Sequence, residues 1–288
     1  MVLAGVLRKM GKSEKELKPQ TELWRYMDVA RFLALIDQKE LYLPRLHEFQ
    51  NEDPWEGAAS PSDPLFRRDP EYMQRAVAHF TSSLPLVSCW HENETESVAM
   101  WRLYVSGKEG VAIKTTVSSL IQLLSVGREL KLGRVVYRDI DDFEHSPDIF
   151  VFEDGRCTGS TDILPIERNI VFRKNKGYTH EQEVRAVIYD TYCGRQAILN
   201  TDQLHSLQAL SLGREPERRP GVKVAVDIAL LVQAIVVSPT FPSWAIKSLQ
   251  KAVDAAFFPA SPIEVKPSVL LDKPIVRKNP ADQLASAR

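Results

Sequence analysis

The sequence predicts a single α+β domain with a mixed or split β-sheet flanked by helices. Short apolar or β-branched segments such as LPLVSCW and EVRAVIYD alternate with amphipathic segments of helical periodicity along most of the chain. The 288 residues include 44% hydrophobic and 26% charged residues, the composition of a globular protein with a substantial core. We expect the domain to span residues 21–272, with flexible segments at 1–20 and 273–288.

The first half of the chain predicts regular alternation of strands and helices. Asp28 is a candidate N-cap for the first amphipathic helix, and Pro44 restricts the second strand to an edge. A proline-rich loop is expected at 58–70. The predicted elements are, in order, a strand at 21–28, a helix at 29–40, a strand at 40–46, a helix at 70–82, a strand at 84–90, a helix at 97–104, a strand at 110–116 and a helix at 117–125.

The second half is more polar and continues the same alternation. Residues 140–162 are rich in Asp, Glu, Gly and Thr and are expected to be mostly loop. The predicted elements are a strand at 130–139 with a bulge at Gly133, a helix at 162–174, a strand at 183–190, a helix at 201–213 closed by Gly213, a strand at 234–239, a helix at 242–258 and an extended segment at 263–273.

Charge and cysteine content limit the classes of protein. Lys and Arg number 37 against 38 Asp and Glu, so the chain lacks the basic surplus of a duplex-binding protein, although Arg173, Lys174 and Lys176 form a local basic cluster. Three cysteines at no metal-ligand spacing favour a reducing, cytoplasmic setting. No segment approaches the roughly 18 apolar residues of a membrane span, and no membrane partner is expected. The sequence does not define an oligomeric state.

The strong catalytic and cofactor signatures are absent from the sequence. It contains no GxGxxG, GxxxxGK[ST], GxSxG or HExxH motif, and its six histidines lie at no ligand spacing. A Rossmann or P-loop enzyme is therefore not expected, and no metal site is predicted.

The candidate site is the stretch GYTHEQEVRAVIYD, in which two glutamates precede an apolar strand. Alternation in an extended chain would place Glu181, Glu183 and Arg185 on one face. The competing interpretation is a solvated sheet face with a surface ion pair of little energetic value.

Four stretches in fixed order resemble the bacterial family called domain of unknown function 2971. They are WRYMD, NEDPWEG, SCWHENETESVAMWRLYVSGKEGVAIKT and YTHEQEVR. The resemblance covers most of residues 21–272 and departs from the family pattern at Glu52, which lies between the usual Asn and Asp. It implies a bacterial protein but no settled activity.

The order Arg25, Ser88 and Glu181-x-Glu183 also resembles that of ADP-ribosyltransferases. This resemblance implies that Glu183 stabilises an oxocarbenium-like state formed from NAD, which would be a substrate without a metal, while Glu181 polarises a nucleic-acid or protein acceptor. It implies a bacterial toxin or phage-defence effector. NAD-binding roles are implied for Arg25, Tyr26, Ser88, Trp90, Trp101 and Arg185. One aromatic ring of Tyr26, Trp90 or Trp101 would stack on nicotinamide.

Two other interpretations stay open. In a metal-dependent nuclease, Asp53, Glu56, Glu181 and Glu183 would collect Mg²⁺ while the basic cluster holds a nucleic-acid backbone. The chain could also be a non-catalytic, defence-associated binding module. Single residues of the candidate site could also have purely structural roles. Ser88 could be a hydrogen-bonded hydroxyl in the core, and Trp101 and Tyr104 could be core residues at helical spacing.

Overall fold

The computed structural model describes residues 17–58, 69–105, 107, 109–139, 149–159, 170–189, 213–214, 218–259 and 262–270. The helices are α1 (Val29–Gln38), α2 (Pro70–Ser83), α3 (Val98–Tyr104), α4 (Val117–Leu124), α5 (Ile228–Leu231) and α6 (Ser243–Phe257), with 3₁₀ helices at Leu46–Asn51 and Lys176–Glu181. The strands are β1 (Glu22–Asp28), β2 (Glu40–Leu43), β3 (Pro85–Glu92), β4 (Gly110–Thr116), β5 (Glu129–Arg134), β6 (Val136–Arg138), β7 (Ile149–Glu153), β8 (Arg156–Gly159), β9 (Arg173–Asn175), β10 (Glu183–Tyr189), β11 (Val222–Ala225), β12 (Ala234–Val237) and β13 (Val265–Pro267).

Within the described residues, one large mixed sheet organises the fold. Its nine strands lie in the order β13-β12-β4-β1-β3-β10-β5-β7-β8, and only β12 and β13 are paired in parallel. Two small sheets pair β2 with β11 and β6 with β9. The prediction of an α+β fold with a mixed sheet is confirmed.

Both faces of the large sheet are covered, which explains the continuous apolar runs of its central strands. On one face the main core joins strand residues such as Leu23 and Val184 to Phe32 of α1 and Leu249 of α6. The opposite face carries two smaller apolar clusters. One cluster surrounds Trp101 on α3 and the other surrounds residues 170–172. Among the described residues, no helix is both long and apolar enough to cross a membrane.

The sheet has a seam between β1 and β3. Strand β1 pairs with β4 along its whole length, from Glu22 to Asp28. Its pairing with β3 is confined to Leu23 opposite Glu92 and Trp24 opposite His91. Arg25 follows directly after the last of these pairs, so its side chain lies where the two strands stop being hydrogen-bonded.

The predicted N-cap at Asp28 is confirmed, since its Oδ1 accepts a hydrogen bond from the backbone N–H of Arg31 at 2.8 Å. Replacing Asp28 with Ala should lower the free energy of unfolding by about 1 kcal/mol, because one N–H of the first turn of α1 loses its acceptor. Asp37→Ala on the exposed side of the same helix is the matched control and should change stability less. Urea unfolding measures both variants, and equal effects would contradict the capping role.

The prediction that residues 140–162 are mostly loop is wrong where the structure describes them. Residues 149–159 form the β7–β8 hairpin, whose turn residues Asp154 and Gly155 have φ angles of 46° and 75°. An Asp-Gly pair after an apolar strand is a hairpin signal, because both positions tolerate positive φ.

The predicted strand at 130–139 is interrupted at Val135 rather than bulged at Gly133. Gly133 stays in register with both β10 and β7, whereas residues 136–138 leave the large sheet and pair in parallel with β9. The predicted helix at 162–174 ends instead in strand β9, and its first eight residues lie outside the described part of the chain. The predicted helix at 201–213 also lies outside it, apart from Gly213.

Candidate functional site

A buried group of charged side chains lies at the start of β10. Arg185 is 1% exposed, and its guanidinium binds two glutamates. Nη1 donates to Oε1 of Glu56 at 2.6 Å, while Nε and Nη2 donate to the two carboxylate oxygens of Glu183 at 2.8 and 3.1 Å. Nη1 also donates to the carbonyl oxygen of Val171 at 2.6 Å. All three guanidinium nitrogens of Arg185 therefore donate hydrogen bonds to protein groups.

Lys174 adds a second cation to this group. Its Nζ lies 2.6 Å from Oε2 of Glu181 and 3.8 Å from carboxylate oxygens of both Glu56 and Glu183. We call Glu56, Lys174, Glu181, Glu183 and Arg185 the charge cluster. Its three carboxylates and two cations leave one negative charge in excess.

The route of the chain into this cluster differs from the predicted one. Glu181 ends a 3₁₀ helix, and Gln182 follows with a φ of 41° before β10 begins at Glu183. The prediction that Glu181, Glu183 and Arg185 alternate along one continuous strand is therefore wrong at Glu181, because the left-handed residue breaks the extended chain. Glu183 and Arg185 do share a strand face, and Lys174 brings the Glu181 carboxylate to the same place.

Burial and pairing set the ionisation of the cluster. Burial alone would raise the pKa of Glu183, but Arg185 and then Lys174 outweigh burial and lower it. At Glu56 burial dominates, and the pKa is raised despite Arg185. Burial opposes the charge of Arg185, yet Glu183 and Glu56 raise its pKa well above the usual value. Glu183 is therefore held as a carboxylate at neutral pH.

Three further side chains fix the two acids predicted to act. Tyr104 Oη donates to Oε1 of Glu181 at 3.0 Å, and the Tyr104 side chain is 38% exposed, so it links this acid to the surface. His91 Nδ1 bonds to the backbone carbonyl of Glu181, and burial lowers the His91 pKa, which favours a neutral ring donating from Nδ1. Cys89 donates its thiol proton to Glu183, and burial raises its pKa well above the usual value, so it is no thiolate nucleophile.

Arg25, Ser88 and Trp90 form a second polar group beside the seam. Arg25 Nη1 donates to Ser88 Oγ at 3.2 Å, and Trp90 Nε1 donates to the same oxygen at 2.9 Å. The guanidinium carbon of Arg25 lies 5.7 Å from the centroid of the Trp90 ring. Burial lowers the pKa of Arg25, and the like charge of Arg31 adds to this lowering.

The structure does not put these two groups into direct contact. Alternation along β3 turns Ser88 and Cys89 to opposite faces of the sheet, and Arg25 bonds to the former while Glu183 bonds to the latter. Cys89 and Tyr104 nevertheless act on Arg25 electrostatically and partly offset the lowering of its pKa. Tyr104, which donates to Glu181, therefore lies near enough to Arg25 to influence its pKa.

The predicted stacking rings are packed within the protein. Tyr26 contacts Trp101 edge to face at 4.9 Å, and each of the two rings is 5% exposed. Tyr26 Oη accepts from the Ser97 N–H at 2.9 Å, and Trp101 Nε1 donates to Glu96 at 3.0 Å. Trp90 is 1% exposed. These contacts agree with core roles, and stacking on nicotinamide stays a prediction that would require side-chain movement.

The sequence did not predict that Lys174 pairs with the glutamates of the site. It also gave Tyr104 no role there. It treated Glu56 as a loop anchor or a metal ligand. The available signal for Glu56 was its position in the NEDPWEG loop, where Asp53 Oδ1 accepts from the Trp55 N–H at 3.0 Å and fixes the turn. Its partner Arg185 lies 129 positions away.

A divalent metal fits this donor set poorly. Each glutamate of the charge cluster already contacts Arg185 or Lys174, whose positive charges occupy the place of a cation. In the part of the chain that the structure describes, no three His, Cys, Asp or Glu residues are arranged to hold a metal ion. The nuclease interpretation is therefore less favoured than a reaction that uses the carboxylates directly.

The fold and site define an α+β protein. Its mixed sheet is only partly paired between β1 and β3, and a buried cluster of carboxylates and cations lies near this seam. A family model described as "Protein of unknown function (DUF2971)" matches residues 100–186, which include Tyr104, Lys174 and the two acids of the site. No curated protein matches the chain in sequence. A search of solved structures finds DarT from Thermus sp. 2.9 in complex with NAD+, at 9% identity and a TM-score of 0.36, covering 88% of this chain and 97% of that one. A likeness this low supports no conclusion on activity.

Proposed function

We propose that this protein is an ADP-ribosyltransferase-like enzyme that cleaves NAD without a metal, using Glu183 and Glu181 beside the seam. The observation that supports the proposal is that a partly buried arginine and a carboxylate kept ionised by its neighbours lie near the same break in the sheet, although they bond to opposite faces of β3. Cleavage of NAD needs recognition of a diphosphate and stabilisation of a cationic sugar. These two kinds of side chain provide both.

The chemistry assigns separate tasks to the two acids. When the bond between ribose C1 and the nicotinamide nitrogen breaks, its electron pair leaves with neutral nicotinamide and positive charge develops on the ribose. The Glu183 carboxylate, with its lowered pKa, stabilises that charge. An acceptor oxygen or nitrogen then attacks C1, and its proton passes to Glu181, whose carboxylate is oriented by Tyr104.

Arg25 supplies the recognition step in this proposal. Burial opposes the charge of its guanidinium, and the side chains that it contacts at close range, Ser88 and Trp90, are neutral. A diphosphate would add charge-assisted, forked hydrogen bonds at the same place. We therefore assign the diphosphate of NAD to Arg25, with Ser88 fixing the guanidinium.

The acceptor in this proposal is a nucleic acid or a protein, and the setting is the bacterial cytoplasm. A role as toxin or phage-defence effector belongs to the same proposal, because covalent modification of an essential macromolecule would stop growth. The non-catalytic interpretation predicts instead that NAD is neither bound nor consumed.

Arg25→Gln tests the proposal by NAD binding and by nicotinamide release, both measured with EDTA present. We expect the wild-type protein to bind NAD and release nicotinamide, and the variant to bind NAD about 10- to 100-fold more weakly, as for loss of one or two charge-assisted bonds. Arg128→Gln, on a half-buried arginine directly before β5, is the matched control. Wild-type protein that leaves NAD unbound and intact with DNA, RNA and protein acceptors would refute the proposal, and chelator-sensitive cleavage of nucleic acid would favour the nuclease.

A further inference from the structure

A shallow surface pocket lies beside the charge cluster and is not used by the proposed reaction. Its walls include Trp55, Arg138, Arg173 and Lys174. Lys174 separates the pocket from Glu181, because its ammonium group binds that carboxylate at 2.6 Å. The Glu181 carboxylate behind the pocket is thus paired with Lys174, and the pocket wall itself is cationic.

The pairing of β6 with β9 explains why two arginines line one wall. The strands are parallel, with Val136 opposite Arg173, so Arg138 lies two residues further along β6 and on the same face as Arg173. Arg173 Nη2 donates to the carbonyl oxygen of Asp139 at 2.6 Å, which anchors its guanidinium at the wall. Two arginines on the same face of adjacent strands bring two guanidinium groups to one wall, and guanidinium groups suit phosphate oxygens.

Trp55 provides a different chemistry at the same pocket. The Trp55 side chain is 56% exposed, whereas the neighbouring residues of its turn are held by hydrogen bonds. Asp53 accepts from the Trp55 backbone N–H, and Glu56 is bonded to the buried Arg185. An exposed indole on a rigid turn beside arginines is a platform on which a planar base can stack at small entropic cost.

A second aromatic ring lies on the other side of Lys174. The ring centroid of Tyr178 is 4.5 Å from Lys174 Nζ, and Tyr178 stacks with His180 at 6.5 Å. Aromatic rings that alternate with cations along a surface are typical of sites for nucleotides and single strands. A small inorganic anion would use only the cations.

We propose that this pocket is a nucleotide site in which Arg138 and Arg173 bind a phosphate group and Trp55 stacks on the attached base. As a substrate site it rests on the proposed function: because Arg25 is assigned the diphosphate of NAD, the occupant here is a single-stranded acceptor, which also carries a phosphate next to a base. Binding of a nucleotide to this pocket can be measured whether or not the protein has catalytic activity.

The test measures binding of four probes to the full chain by calorimetry and fluorescence anisotropy: AMP, adenosine, NAD and a labelled 12-nucleotide single strand. The double variant Trp55→Ala/Arg138→Gln removes the ring and one guanidinium. Trp244→Ala/Lys247→Gln removes an exposed ring and a cation from α6 and is the matched control, since Trp244 is 80% exposed. Unfolding curves confirm that each variant is folded.

We expect the wild-type protein and the control to bind AMP at least 10-fold more tightly than adenosine, and the double variant to lose at least 10-fold in AMP affinity. Preferential loss of oligonucleotide binding would support the acceptor as the occupant, whereas preferential loss of NAD binding would overturn that assignment together with the role of Arg25. Equal binding by wild type and double variant, equal binding of AMP and adenosine, or no binding of any probe would overturn the inference. So would ADP-ribosylation of protein alone with unchanged rates in the double variant. Loss of AMP binding in the double variant, with no nicotinamide release by wild type, would refute the proposed function and leave the nucleotide site standing.

Discussion

Replacing Arg185 with Met is expected to lower the free energy of unfolding by about 3–5 kcal/mol at pH 8, the usual effect of removing one partner from a buried ion pair. Met fills a comparable volume, so the loss would come from charge rather than from a cavity. The substitution leaves Glu56 and Glu183 facing each other with only Lys174, whose Nζ is 3.8 Å from each. A domain at the low end of the usual total stability of about 5–15 kcal/mol would be close to unfolding.

The pH dependence of Arg185→Met distinguishes lost charge from lost packing. Without the guanidinium, burial and mutual repulsion should raise the folded-state pKa values of Glu56 and Glu183 above the unfolded value of about 4.3. A carboxyl group with a raised folded pKa destabilises the fold as pH rises through that pKa. The destabilisation measured at pH 8 should therefore shrink at pH 5.

The wild-type protein should show the opposite trend for Glu183. Its folded pKa is lowered by Arg185 and Lys174, so its contribution to stability is present above the unfolded pKa and is lost as pH falls through the folded one. Because that loss sets in only below about pH 4.3, the contribution of Glu183 in the wild type should be nearly the same at pH 8 and pH 5. Urea unfolding at these two pH values measures both proteins, with Arg102→Met at an exposed position of α3 as the control. Equal destabilisation at the two pH values would mean that packing dominates, and Arg185→Lys provides a folded comparison if the Met variant does not fold.

Secondary-structure elements were predictable where their signal lies within a short stretch of sequence. Helix α1 and its cap at Asp28 are predictable because the signal lies within a few consecutive residues. The β7–β8 hairpin was predictable from Asp154-Gly155 but was obscured by the polar composition around it. The break at Val135 was not predictable, since it depends on where β6 meets a strand that lies 37 residues later in the chain, as Val136 pairs with Arg173.

The candidate site likewise combines a part that is encoded locally with a part that depends on residues far apart in the chain. Period-two alternation identified Glu183 and Arg185 as neighbours on one strand face, and the structure joins them by two hydrogen bonds. The third partner, Glu56, comes from a loop 129 positions earlier, and no periodicity links residues at such a separation. The seam beside Arg25 is likewise a property of strand register, which a single sequence does not specify.

Glu183→Gln is the second large effect that we expect, and it acts on turnover rather than on stability. Gln keeps the shape of Glu and one carbonyl oxygen for Arg185 but removes the negative charge opposite the developing ribose cation. Loss of that stabilisation should reduce nicotinamide release by about 10²- to 10³-fold. Affinity for NAD should change little, because the charge develops only in the transition state.

The charge balance explains why the same substitution should destabilise the fold less than Arg185→Met does. The charge cluster has three carboxylates and two cations, so neutralising Glu183 leaves Glu56 with Arg185 at 2.6 Å and Glu181 with Lys174 at 2.6 Å as two complete pairs. The midpoint of urea unfolding should therefore move far less than for Arg185→Met. Glu153→Gln on an exposed position of β7 is the matched control for both measurements.

Glu181→Gln separates the roles of the two acids. Because this residue is assigned to the acceptor, its loss should slow transfer to an acceptor more than it slows nicotinamide release to water. Glu183→Gln should slow both by similar factors, since both pass through the same cationic sugar. Full nicotinamide release by a folded Glu183→Gln protein would remove this residue from the reaction and leave it a structural partner of Arg185.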